Sequence, residues 1–467
     1  MTLGLTISHG FKHQTYRVLP AASSLCCIPP SSSSSSSSSS PNNKMARRGM
    51  VSRAKKVQMN STLPDDVAAL VQKHAMQPQT SASLQTLMKT GRGELLSKTY
   101  KEESLSETFH TKTATKRILL QVASFLRREL PIRLAHRIQD LDCVPLMRDM
   151  PSVIKVKDIY AQSLLTLSSM PKIHTSAQEE DFANSLETLY QRHSNVLIQM
   201  AKGAFELRAA VRDGQIKHAR TKTSGALHFE QMEECHDFLD RFYMSRVGIR
   251  VLAGQYLALR QPPLENYIGM ICHQTSPLEI VRHAVDDASM MCCRKFGDAP
   301  EVIISGRLDL TFPYIPTHLH YILLELLKNA MRATVEHHGV DNHYPPVRVI
   351  IADGNENEDV VIKVADEGGG IPRSHVKKIW SYLFTTANPS IQESMMTFSG
   401  DVDHSVDSPL AGLGYGLPIS RSYARYFGGD VSIMSMEGYG TDAFVYLTRM
   451  GRSREPVSVV VVVVAWV

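Results

Sequence analysis

Glu325, Lys328, Asn329, Arg332 and Glu336 recur at intervals of three and four residues, which places them on one polar stripe of a helix. A solvated helix face laced with ion pairs would carry the same residues. Further on, Asp366-Glu367-Gly368-Gly369-Gly370 follows a strand-like run ending at Ala365. An acidic side chain at a strand end can accept a hydrogen bond from an exocyclic amine. The glycines let the chain turn tightly and approach a flat ring, although an ordinary turn would look alike. Gly412-Leu413-Gly414-Tyr415-Gly416-Leu417-Pro418 then opens a helix. Glycines there present backbone N–H groups and the positive dipole end to phosphate oxygens, and a plain flexible loop is the alternative. Gly438-Tyr439-Gly440-Thr441, between two strand-like runs, reads as a hairpin turn.

Each signal is weak alone, and their order makes them specific: Glu-x-x-x-Asn on a helix, Asp-x-Gly-x-Gly, Gly-x-Gly-x-Gly, then Gly-x-Gly-Thr. This series resembles the ATP-binding fold of histidine kinases, type II topoisomerases and mismatch-repair ATPases. The Walker loop Gly-x-x-x-x-Gly-Lys-[Ser/Thr] and the His-Arg-Asp set of eukaryotic kinases are both absent from the sequence.

The segment Glu325-Leu326-Leu327-Lys328-Asn329-Ala330-Met331-Arg332-Ala333-Thr334 is similar to the mitochondrial kinases of 2-oxo acid dehydrogenase complexes. So are Leu130–Arg137, Phe238–Arg246, Phe384-Thr385-Thr386-Ala387 and Gly414–Pro418, and the likeness runs from about Leu119 to Arg449. It implies an ATP- and Mg2+-dependent serine kinase that inactivates the decarboxylase subunit of a pyruvate or branched-chain complex in the mitochondrial matrix. It further implies docking to a lipoyl-bearing domain, a homodimer, and an allosteric pocket in a helical domain. By the same resemblance Asn329 coordinates magnesium, and Lys328 and Arg332 bring positive charge to the phosphates. Asp366 accepts from the adenine amine beside Gly368 and Gly370, and Thr385 and Thr386 touch ribose or phosphate. Gly412, Leu413, Gly414, Tyr415, Gly416 and Leu417 wrap the triphosphate as part of a mobile lid, and Thr441 joins the nucleotide site. Glu325, one turn from Asn329, becomes the general base for a neutral hydroxyl, which needs an acceptor for its proton.

Two other readings use the same residues. A two-component histidine kinase needs a phosphoacceptor histidine, and His236-Asp237 is the nearest match, without the proline that normally follows. A nucleotide-gated binding protein without kinase activity is the other. On substrate, the chain mixes features. Tyr321 and Phe384-Thr385-Thr386 lean toward the branched-chain enzyme, whereas Asp366-Glu367-Gly368 and Arg421–Phe427 look more like pyruvate members.

The elements that must position these groups fall into two domains within a chain of 467 residues. From about Thr111 to Leu259 the apolar spacing is helical, as in Val156, Ile159, Tyr160, Ser163, Leu164 and Leu167, with Pro131, Pro145, Pro151 and Pro171 as links. After Pro262-Pro263, strand-like runs at Val302–Ser305, Val347–Ala352, Val360–Val364, Val431–Ser435 and Ala443–Leu447 alternate with helical stretches. The expected class is α+β: a helical bundle over 110–260, then a histidine-kinase-like ATPase α/β sandwich with a mixed sheet over 268–450.

Composition agrees with a globular chain: 43% hydrophobic, 21% charged, net charge +5, with no nucleic-acid partner or membrane insertion expected. No acidic residue precedes Asp65, while eight Lys and Arg residues and the run Ser31–Ser40 do. Residues 1–64 therefore read as a transit peptide and low-complexity disordered segment. The seven cysteines show no zinc-ligand spacing, and 451–467, ending in the apolar Val457–Val467, is read as a tail.

Overall fold

The computed structural model describes residues 17–18, 63–96, 107–214, 229–340, 342–354, 359–386 and 412–456. The serine run, Cys26, Cys27, Ala387 and the closing valines lie outside the described residues, as does most of the expected leader. Arg17 and Val18 are described, and they form a short strand (β1) at the edge of the main sheet, inside the segment expected to stay out of the fold.

The N-terminal region is a bundle of α1 (Asp65–Ala75), α2 (Leu84–Gly91), α3 (Glu107–Cys143), α4 (Pro151–Ser169), α5 (Ser176–Arg192), α6 (Val196–Arg212) and α7 (Glu233–Leu259). Local chemistry sets several ends. Pro151 occupies the first turn of α4, where its missing N–H costs nothing. Thr175 and Gln178 close a reciprocal capping box at the start of α5. Pro131 departs from the expected link, because α3 runs straight through it. Leu130, Ile132, Leu134 and Ala135 around it are all buried, so tertiary packing outweighs the lost backbone bond. Helices α1 and α2 lie in a stretch assigned to neither domain: α1 puts Val67, Val71 and Ala75 into the bundle's core, whereas Leu84 and Met88 of α2 are buried in the core of the second domain.

The second domain carries β2 (Tyr267–Ile268), β3 (Ile271–Thr275), α8 (Pro277–Phe296), β4 (Val302–Gly306), β5 (Phe312–Tyr314), α9 (Pro316–His338), β6 (Val347–Asp353) and β7 (Asp359–Asp366). It continues through α10 (Gly416–Tyr426), β8 (Asp430–Met436) and β9 (Gly440–Thr448). The main sheet has the order β1-β4-β6-β7-β9-β8 and is mixed: β4 pairs in parallel with β1 and β6, and the remaining pairs are antiparallel. Apolar residues of α8, α9 and α10 share one core with alternate residues of these strands, so the helices cover one face. A small second sheet, β2-β3-β5, was not anticipated.

Two features join the domains. Tyr382, Leu383, Leu413, Tyr415 and Ile419 are buried in the bundle's core rather than in that of their own domain. Residues 451–456, expected to begin a tail, instead form a strap. Gly451 accepts from the Gln85 N–H (3.0 Å), and Glu455, only 4% exposed, accepts from the Ala82 N–H (2.9 Å), Arg133 Nη1 (3.0 Å) and the Tyr426 hydroxyl (2.6 Å). A carboxylate buried with that many donors is solvated by the protein itself, which holds the segment in place.

Candidate active site

Helix α9 builds the site. Pro316 starts it, and Leu319, Ile322, Leu323, Leu326, Leu327 and Ala330 bury its apolar stripe in the sheet domain's core. That packing turns Glu325, Asn329, Arg332 and Glu336 toward a cavity of about 480 Å³. Asp366, Gly368, Gly369 and Gly370 line it from the end of β7, and Thr441 from β9. Phe384, Thr385, Thr386, Gly412, Gly414, Gly416 and Leu417 complete the wall, while Val364, Ile371, Ile379, Ile433 and Ala443 supply apolar surface.

The register of the sheet aligns the acidic wall. Asp366 lies opposite Thr441 in the β7–β9 pair. Its Oδ1 accepts from the Gly368 N–H at 2.9 Å, and the Thr441 backbone also donates to it. Burial pushes its carboxyl up to about 6, against the lowering effect of those two N–H groups. Glu325 is only 5% exposed, and its Oε1 accepts from Lys328 Nζ at 2.7 Å. Asn329 makes no side-chain hydrogen bond among the described residues, so its amide is free for a ligand. Arg332 Nη2 donates to Thr386 Oγ1 at 3.3 Å, tying the helix to the far wall.

The glycines serve closer approaches than a flat ring alone requires. A Cβ on Gly368 would lie 2.6 Å from the Ala333 carbonyl carbon, and one on Gly370 (φ +70°) would lie 2.1 Å from the Met436 carbonyl oxygen. The turn is thus wedged between α9 and the β8–β9 hairpin.

Three expected nucleotide contacts are placed differently. Lys328 does not line the cavity, because its ammonium is turned back onto Glu325. Leu413 and Tyr415 lie in the glycine loop, yet neither lines the cavity, and their side chains are 5% and 0% exposed in the bundle core. Glu336, His337 and His375 line the wall without having been expected there. Glu336 was legible as the last member of the polar stripe, whereas His375 sits in a stretch between motifs that carries no signal. His236, the candidate phosphoacceptor, is engaged at both ring nitrogens. Nδ1 accepts from the Tyr382 N–H (3.3 Å), and Nε2 lies 3.2 Å from the Phe229 carbonyl oxygen.

A helix-borne Glu and Asn facing two glycine turns define a nucleotide site of the histidine-kinase type, and comparison with known proteins agrees. Residues 314–450 match the family described as histidine kinase-, DNA gyrase B- and HSP90-like ATPase, and residues 102–272 match mitochondrial branched-chain alpha-ketoacid dehydrogenase kinase. The chain is 45% identical over 345 residues to a mitochondrial pyruvate dehydrogenase (acetyl-transferring) kinase of Arabidopsis thaliana, covering 73% of this chain and 88% of the relative. The kinase of that name from Schizosaccharomyces pombe is 34% identical over 466 residues (85% and 99%), and human isozyme 4 is 36% identical over 340 residues (70% and 76%). The chain belongs to the mitochondrial 2-oxo acid dehydrogenase kinase family. It is a mitochondrial, ATP-binding protein kinase, and the two-component and non-kinase readings fall away.

Proposed function

We propose that this kinase transfers the γ-phosphoryl group of ATP to a serine of the decarboxylase subunit of the pyruvate dehydrogenase complex. The names of its relatives favour pyruvate over the branched-chain substrate. The observation that carries the chemistry is the pairing, on one face of α9, of the buried Glu325 carboxylate with the unengaged Asn329 amide, both lining one cavity.

Glu325 accepts the serine proton, and the Lys328 ammonium holds that carboxylate in place through Oε1. Asp366 in its ionised form accepts from the adenine amine, and Arg332 offers positive charge to the phosphates. The N–H groups at the start of α10 face the triphosphate with the helix's positive end. No group of three or more His, Cys, Asp or Glu suited to a metal occurs among the described residues. A single amide oxygen from Asn329 fits Mg2+, which keeps most of its shell for water and phosphate oxygens. Such an ion supplies neutralisation of the charge that builds on the transferring group.

Family membership also supports docking on a lipoyl-bearing domain of the acyltransferase core, a homodimer and a matrix address. Among the described residues no helix is long and apolar enough to cross a membrane.

The test is labelling of each purified complex with ATP by wild type and by Glu325→Gln. The expected result is label on a serine of the pyruvate decarboxylase subunit, reduced about 100-fold in the variant with ATP binding retained. Label confined to the branched-chain complex would correct the substrate, and an unimpaired variant would remove Glu325 from the chemistry.

A further inference from the structure

Gly412, Gly414 and Gly416 look interchangeable in sequence, and the structure gives them different work. Gly412 (φ +76°) and Gly414 (φ +81°) adopt left-handed backbone. A Cβ on Gly414 would also lie 2.4 Å from the Phe384 carbonyl oxygen. Those two positions need glycine for the path of the chain itself.

Gly416 does not. It has no positive φ, it is the first residue of α10, and a side chain there meets no backbone strain. What a Cβ would meet is the base: Glu325 Oε2 at 2.4 Å, with Cδ at 3.3 Å and Cγ at 3.7 Å. The other carboxylate oxygen is held by Lys328 Nζ at 2.7 Å. Glu325 is therefore seated between an ammonium on its own helix and the bare face of a glycine on another. The glycine's own position is set by its neighbour, since Tyr415 is fully buried against Tyr243 of α7 (ring centroids 6.1 Å apart) and Tyr382 (5.3 Å).

We infer that Gly416 is a positioning residue for the catalytic base. Its missing side chain is the space that lets the Glu325 carboxylate sit at the mouth of the helix, facing the site of transfer. This rests on Glu325 being the base. The Gly416 N–H remains at the start of α10 for the phosphates, and the missing side chain serves Glu325. A methyl group at this position pushes a flexible carboxylate aside rather than blocking a nucleotide.

The test compares Gly416→Ala, Glu325→Gln and the double variant in the full chain. Turnover is read on whichever complex wild type labels, and ATP binding is read separately by calorimetry. Gly416→Ala is expected to lower kcat about 30-fold or more while the Kd for ATP stays within about threefold. The double variant is expected to be no slower than Glu325→Gln, because two changes to one seat do not add. Adding Glu325→Asp, one methylene shorter, should restore turnover or Tm to the Gly416→Ala protein, including one too unstable to assay. Weakened ATP binding with kcat retained, losses that multiply, or no rescue by Asp would each overturn the inference. An unimpaired Glu325→Gln protein would instead remove the base itself, whatever Gly416→Ala does.

Discussion

The centre of the bundle and the nucleotide cavity both bury ionisable side chains, and they differ in what lies beside them. In the bundle, His193 is 4% exposed, its Nε2 is paired with Ser163 Oγ at 2.8 Å, and Arg246 Nη2 donates to the His193 and Ser194 carbonyls. Not every group there is answered, since Arg246 Nε, Arg192 Nη1 and the Tyr160 hydroxyl are buried without a hydrogen-bond partner; burial first, then Arg246, Arg192 and Arg250, push the imidazole down to about 3. In the cavity, Asp366 is held by N–H groups and Glu325 by Lys328, and both line space open to a ligand. Both regions come from helices and strands with polar residues at regular spacing. A polar group becomes a binding group only where packing leaves part of it unanswered.

The largest effect is expected at the joint between the two domains. Glu455→Ala removes the acceptor shared by Arg133, Tyr426 and Ala82 in a buried setting. It should cost about 3 kcal/mol, with both domains shifting together in chemical denaturation. A shift confined to one domain would show that the strap does not join them.

Next comes pH, where the two regions have opposite signs. His193 has a folded value below its ordinary one, so its contribution to stability is present above about pH 6.5 and is lost as pH falls toward 3. Asp366 has a raised folded value, so the ligand-free protein gains stability from it as pH falls from about 6 toward the ordinary carboxyl range. ATP affinity should move the other way, weakening as Asp366 takes up its proton. Unfolding free energy measured from about pH 4 to about pH 7 for His193→Gln and Asp366→Asn separates the two slopes, and equal slopes in both variants would refute the contrast.

The smallest effect is expected inside the bundle. Ser163→Ala removes one neutral hydrogen bond and should cost about 1 kcal/mol, leaving the Kd for ATP unchanged by calorimetry.

Much of the catalytic domain was legible. The strand-like runs at 302–305, 347–352, 360–364, 431–435 and 443–447 fall within β4, β6, β7, β8 and β9. The small sheet was not, because β2 has two residues, β5 three, and Ile271-Cys272-His273-Gln274-Thr275 lacks clean alternation. Helices α1 and α2 escaped notice for a related reason, since short helices draw their stability from packing, α1 on α3 and α2 on the second domain's core, rather than from their own pattern. Leu413 and Tyr415 were read as loop residues around phosphate. Spacing places a residue in a loop but does not say which core its side chain enters.

By itself the sequence determined the class of chemistry. Glutamate and asparagine at i and i+4 and glycines at set intervals are local properties of the chain, and their order is fixed by covalent connection. Tertiary structure decided which of those groups remain available. Lys328 is engaged by Glu325, Leu413 and Tyr415 are taken into the bundle core, and Gly416 is bare because Glu325 fills the space beside it. The Lys328–Glu325 pair is an i,i+3 contact on one helix that spacing allows, whereas the other outcomes depend on an atom brought close from another domain or another helix, and no spacing along the chain encodes that distance.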